Sequence, residues 1–369
     1  MSGYEAEVLA IAAVTAVACA LPGVFLVLRQ TAMLSDAISH AVLPGIVVAF
    51  FLTGSLVSPL LVVGAAASGV LTVALVEAVR RTRLLREDAA IGLVFPLLFS
   101  IGVILVSRHA GRVHLDVDAV LLGELAFAPF ERLGWRGLDF GPRALWMMAG
   151  VLVIQLILLA LFYKELKLST FDPGLAAVLG FSPAAIHYAL MAVVSVTAVG
   201  AFDAVGSILV VALMVAPPAA AWLLTDRLPV MLGLGAGFAV ASAGAGYAAA
   251  RALDASIAGC MATAAGGVFA LSFALAPERG LIPMARRRGE QRRRFARTML
   301  AIHLMHHEGS AEAEEENRLD RLHLHLRWEP EVVRRVVREA EREGELRRER
   351  DLLVLTDTGR ALAREAIVA

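Results

Sequence analysis

The chain has 369 residues, 58% of them apolar and 18% charged, with a mean hydropathy of +0.71 and 34 basic side chains balancing 34 acidic ones. Soluble domains average about 45–50% apolar and about 25% charged, so an ordinary soluble enzyme and a disordered chain are both excluded. The zero net charge hides a division: residues 1–278 hold 14 Lys and Arg against 17 Asp and Glu, whereas residues 279–369 hold 20 against 17, which also excludes a chain made only of membrane spans.

A helix needs about 20 apolar residues to cross a bilayer. In chain order the apolar runs predict spans at 8–28, 33–52, 58–79, 89–107, 144–163, 185–201, 204–224, 229–250 and 255–276. The sixth and seventh are separated only by 200–206, which reads as a tight turn or as a break within a re-entrant pair. The first span has no basic lead and no small-residue cleavage site, so it is expected to be retained. Arg80, Arg81, Arg83 and Arg86 follow the third span, Lys164 and Lys167 the fifth, and Arg279 with Arg286, Arg287, Arg288, Arg292, Arg293 and Arg294 the ninth. With nine spans these groups share one side, which the positive-inside rule makes cytoplasmic, with the N-terminus outside. The connection 108–143 runs against that rule with five arginines, balanced by five acids, and its apolar stretch 117–130 reads as re-entrant or interfacial. Cys19 and Cys260 sit in apolar runs and read as core residues. Lys164 and Lys167 are the only lysines and neither follows a glycine, so a G-x-x-x-x-G-K phosphate loop is excluded.

Charged groups at membrane depth are costly and point to function. The second span carries Asp36 and His40, four residues apart and therefore on one helical face. Ser35 and Ser39 form the adjacent stripe. Pro44 has no N–H, so the His40 carbonyl loses its helical partner and a kink is expected there. Carboxylate plus imidazole suits Mn, Fe(II) or Zn rather than Cu(I); the same pair is equally an ion pair that only holds helices together. Asp203 reads as a solvated turn residue, His187 as interfacial, and His109, His114, Asp116 and Asp118 as an exposed loop.

The stretch Leu34-Ser-Asp36-Ala-Ile-Ser-His40-Ala-Val-Leu-Pro44-Gly45 resembles the second-helix signature of the manganese/zinc/iron permease family of ATP-binding-cassette importers. Asp88-Ala-Ala-Ile-Gly92, Thr170-Phe-Asp172-Pro-Gly-Leu-Ala-Ala-Val-Leu-Gly180 with His187-Tyr188, and Ala204-Val-Gly-Ser-Ile-Leu-Val-Val-Ala-Leu-Met-Val-Ala-Pro217 match in order. The resemblance covers about 7–278. It implies that Asp36 and His40 bind the transported metal. It also implies that Phe171, Asp172, Pro173, Leu175 and Gly180 belong to a cytoplasmic coupling helix docking on the ATPase subunit. From the residues alone, Asp172 is a helix N-cap, Pro173 the first helical position and Gly180 a C-terminal stop, which fits a plain connecting helix equally well.

Many members of that family stop soon after the last span, whereas this chain continues. Residues 279–294 read as a basic linker. Residues 295–369 read as helix, short helix, helix, two-stranded wing and helix, similar to the DNA-binding domain of iron-dependent, diphtheria-toxin-repressor-type regulators. Pro330 to Glu343, in the position of a recognition helix, mixes Arg334, Arg335, Arg338 and Arg342 with four glutamates that repel phosphates, so nucleic-acid binding is disfavoured against a regulatory, docking or dimerisation role. His303, His306, His307 and Glu308, with His323 and His325, are candidate ligands for cytoplasmic metal sensing, or polar-face residues of amphipathic helices.

The expected fold is thus an all-α polytopic membrane protein of about nine transmembrane helices (1–278) with a small C-terminal winged-helix (α+β) cytoplasmic domain. The expected role is a non-enzymatic permease subunit in a bacterial cytoplasmic membrane, importing Mn, Zn or Fe with no permanently bound cofactor. The resemblance implies a homodimer in the lipid bilayer, a separate ATP-binding subunit and an extracytoplasmic metal-binding protein. The rivals are an ion-coupled secondary metal transporter and a membrane-anchored metal-responsive regulator.

Overall fold

The computed structural model describes residues 3–54, 59–109, 125–135, 138–310 and 313–368. The chain divides into two compact units, Met1–Gly280 and Leu281–Ala369.

Unit 1 is built from α1 (Gly3–Leu28), α2 (Met33–Ala41), α3 (Leu43–Thr53), α4 (Pro59–Arg81) and α5 (Glu87–His109), a small hairpin of β1 (Arg132–Trp135) and β2 (Leu138–Pro142), then α6 (Arg143–Leu161), α7 (Tyr163–Phe171), α8 (Pro173–Val178), α9 (Pro183–Val205), α10 (Ser207–Leu224), α11 (Leu228–Leu253) and α12 (Ile257–Leu275). Among the described residues nine helical segments are long and apolar enough to cross a membrane, with α2 and α3 together making the second. The most enclosed is α1, 72% buried over its apolar window; it packs on α6, α9, α10 and α11. Peripheral α6 instead exposes Val153, Ile154, Leu156 and Ile157, a surface that hydrocarbon covers without cost.

Small residues set the helix spacing. A Cβ on Gly23 of α1 would lie 2.1 Å from the Met214 carbonyl oxygen of α10, and one on Gly45 of α3 would lie 2.0 Å from the Gly64 carbonyl oxygen of α4. Without a hydrophobic force between helices in lipid, such backbone approach is the main source of packing energy. The turn expected at 200–206 contracts to one residue: α9 continues to Val205 and Gly206, at φ 80° and ψ 164°, separates it from α10. Asp203 accordingly lies in the last turn of a helix rather than in a turn.

The described part of the 108–143 connection holds its charges in pairs. Arg132 of β1 pairs with Glu7 of α1 at 3.2 Å and with Asp139 of β2 at 2.5 Å. The Gly141 N–H and then the Arg132 guanidinium hold the Asp139 carboxyl below the usual carboxylate range. His114, Asp116 and Asp118 lie outside the described residues, as does the stretch 117–124.

Unit 2 contains α13 (Leu281–His307), α14 (Ala313–Glu316), α15 (Leu322–His325), α16 (Pro330–Arg342), β3 (Leu346–Glu349), β4 (Leu352–Leu355) and α17 (Asp357–Val368). The basic stretch expected as a linker is helical from Leu281 onward, because Arg, Met and Gln are good helix formers and Pro283 falls in the first turn. Val333, Val336, Val337 and Ala340 form the buried stripe of α16, spaced as a helix requires. They meet Leu300 and Leu304 of α13, Leu353 and Leu355 of β4, and Ala363 of α17. β3 and β4 are joined through Arg350 and Asp351, and Arg318 bridges to Leu352 beside them.

Candidate metal site and coupling surface

The second span is interrupted where proline predicts. α2 ends at Ala41, Val42 lies between, and α3 opens with Pro44 in its first turn. The interruption strands carbonyls at the end of α2, and the Ser68 hydroxyl of α4 donates to the Ala41 carbonyl at 2.6 Å. Ser35 and Ser39 point elsewhere than a ligand site: their hydroxyls donate at 2.7 Å to the carbonyls of Ala32 and Ser35.

Asp36 and His40 do share one face of α2. Oδ1 of Asp36 is 3.5 Å from Nε2 of His40, and the two side chains are 46% and 30% exposed. The imidazole leans on α5, with ring centroids 5.4 Å from Phe95 and 6.5 Å from Phe99. Among the described residues no third His, Cys, Asp or Glu ligand atom joins the pair. The arrangement is a two-ligand platform: packed on one side by aromatic rings, open on the other.

The stretch 171–180 forms a short exposed helix. Asp172 caps it, its Oδ1 accepting from the Leu175 N–H at 2.9 Å. Pro173 occupies its first position, and Gly180 follows it at φ 87°. Phe171, Leu175, Val178 and Leu179 are all exposed, Val178 by 83%, an apolar patch at the end of two spans of the kind that marks a docking surface.

One residue that composition did not single out ties this segment to the bundle. Arg29, just after α1, donates to Thr170 at 3.2 Å and to Ser169 at 3.4 Å, and lies 3.4 Å from Nδ1 of His187 in α9. Its position as the only charge between the first two spans was the available signal.

In unit 2 the candidate sensing residues separate. His303 and His307 are neighbours on α13. His306 is exposed, and Glu308 instead binds Arg360 of α17, at 2.6 and 3.1 Å. Glu316, not anticipated, joins the first two.

Comparison with known proteins decides the class of unit 1. The model of the ABC 3 transport family matches residues 4–276. The chain belongs to the ABC 3 transport family. It is 48% identical over 357 residues to the zinc transport system membrane protein TroD of Treponema pallidum (strain Nichols), covering 97% of both chains. It is also 48% identical over 279 residues to the manganese transport system membrane protein MntD of Bacillus subtilis (strain 168), covering 76% of this chain and 94% of that one. Among solved structures it is similar to PsaBC from Streptococcus pneumoniae in complex with Fab, with a TM-score of 0.63, 26% identity, and coverage of 75% and 93%. As an ABC 3 transport protein it is a multi-pass membrane subunit and not an enzyme; ATP hydrolysis belongs to a separate chain.

Proposed function

We propose that this ABC 3 family protein is the permease of an importer for manganese or zinc, with Asp36 and His40 contacting the ion in transit and Phe171, Asp172, Pro173, Leu175 and Gly180 forming the seat of the ATP-binding subunit. The observation that carries this reading is the half-open Asp36–His40 pair beside the break at Val42. Two ligands leave coordination positions for cargo and for further donors, and a carboxylate with an imidazole suits either ion. Zinc is named for TroD and manganese for MntD; iron, which the sequence resemblance left open, has no comparable support.

A half-exposed ionic pair on an apolar bundle is unfavourable against lipid. A second copy of the chain, packed over α2, would cover it and supply the missing ligands, which favours a homodimer in the bacterial cytoplasmic membrane. The distribution of Lys and Arg puts the N-terminus outside and unit 2 in the cytoplasm. An extracytoplasmic metal-binding protein delivers the ion, and movement of 171–180, relayed by Arg29 to α1 and α9, exposes the pair to each side in turn. Unit 2, with its helices closed by a β3–β4 hairpin and α17, reads as a winged-helix domain. Its mixed-charge α16 favours docking or regulation over nucleic acid.

The test is uptake of radiolabelled Mn or Zn into proteoliposomes holding the chain and its ATPase. Asp36→Ala and His40→Ala should each cut uptake by about tenfold or more, as loss of a metal-site group does. Unchanged uptake in both overturns the site. Uptake that follows a proton gradient and survives without the ATPase establishes the secondary-transporter alternative instead.

A further inference from the structure

We propose that unit 2 carries a binding site for a divalent transition metal, with His303, His307 and Glu316 as ligands and His325 as the fourth. His303 and His307 stand one helical turn apart on α13, their ring centroids 4.9 Å apart. Glu316 ends α14 and brings Oε2 to 3.1 Å from Nε2 of His307 and 3.5 Å from Nδ1 of His325 in α15. The His325 ring lies 6.2 Å from that of His303, at 30°. One ligand atom from each of His303, His307 and Glu316 lies within 4.8 Å of the other two, and no other group of three such residues does so among the described residues.

A further feature points to a ligand rather than to a salt-bridged helix face. Nε2 of His303 is buried without a hydrogen-bond partner, an arrangement that proteins avoid unless the atom has another use. Three imidazoles and one carboxylate, with no thiolate, suit Zn and its neighbours. Around a tetrahedral ion the ligand atoms would close to about 3.3 Å of one another, a contraction that side-chain rotation supplies. Such an ion would fasten α13 to α14 and α15, which have four residues each, too few to hold helical form alone. The site stands apart from the transport reading, since none of its ligands belongs to unit 1.

The test uses the full-length chain in detergent, carrying Asp36→Ala and His40→Ala so that any intramembrane site is silent. It is titrated with Co(II), whose visible bands report tetrahedral coordination. We expect one equivalent to bind with those bands and to be displaced by Zn(II). His307→Gln and Glu316→Gln should each weaken binding by about tenfold or more, and His323→Ala should leave it unchanged. In the chain without ligand substitutions, Co(II) should also slow diethylpyrocarbonate modification of His303 and His307, read by peptide mass spectrometry. Absence of the bands at saturating Co(II), equal binding by both ligand variants, or modification rates indifferent to Co(II) would overturn the proposal.

Discussion

Single residues carry opposite burdens in the two units. In unit 1 the sensitive positions are small: a Cβ at Gly45 meets the backbone of Gly64, which cannot rotate away. Gly45→Val should therefore destabilise the α3–α4 pair by about 1–3 kcal/mol, the ordinary penalty of overpacking. A lowered melting temperature of the purified protein would show it; an unchanged one would mean that the helices separate freely. Asp36→Asn, on a half-exposed face, should leave that melting temperature unaltered while reducing uptake. In unit 2 the sensitive position is a charge. Arg360, by its hydrogen bonds, holds the Glu308 carboxyl below its ordinary 4.5. The folded pKa is the lower one, so this pair stabilises unit 2 above pH about 4.5 and ceases to do so as pH falls through the folded value. Glu308→Gln should flatten the acid limb of the unfolding curve followed by circular dichroism, by a modest amount because both side chains are partly exposed.

At the scale of elements, the spans were legible because an uninterrupted run of about 20 apolar residues is rarely found outside a bilayer; each of the nine lies within a few residues of its expected place. The break at Val42 was legible for the same kind of reason, since proline removes a specific hydrogen bond. What covers the stranded carbonyl was not: Ser68 is 27 residues away in sequence and nothing local marks it. Arg29 was missed likewise, its partners Ser169, Thr170 and His187 being at least 140 residues distant. The histidine cluster of unit 2 was half legible. The i, i+4 pair His303 and His307 shows in any helical projection, whereas Glu316 arrives only through the turn after α13, and the adjacent Glu308 is diverted to Arg360. The short helix α8 offers two separable tests. Asp172→Ala removes the cap and should cost about 1 kcal/mol locally, visible as faster hydrogen exchange over 173–178. Val178→Glu leaves the helix intact but places a charge on the apolar patch, so ATPase activity should persist while metal uptake falls; coupled transport at the normal rate would remove this patch from the docking surface.

At the scale of the whole molecule, the two units are separable in composition, in contacts and in relatives. The match to MntD covers 279 residues, about the length of unit 1, whereas the match to TroD, at 357 residues, includes unit 2 as well. Truncation after Gly280 should therefore leave unit 1 folded, with an unchanged melting temperature of its helices; aggregation of the truncated protein on extraction would show that unit 2 is needed for its assembly. The single-residue connection at Gly206 bears on how unit 1 is made. No lysine or arginine occurs between Lys167 and Arg227, so α9 and α10 have no basic residue of their own with which to choose a direction. With one residue between them, neither can be threaded while the other waits. On the proposed topology the two are expected to enter the bilayer as one hairpin, with Lys167 and Arg227 staying on the same side.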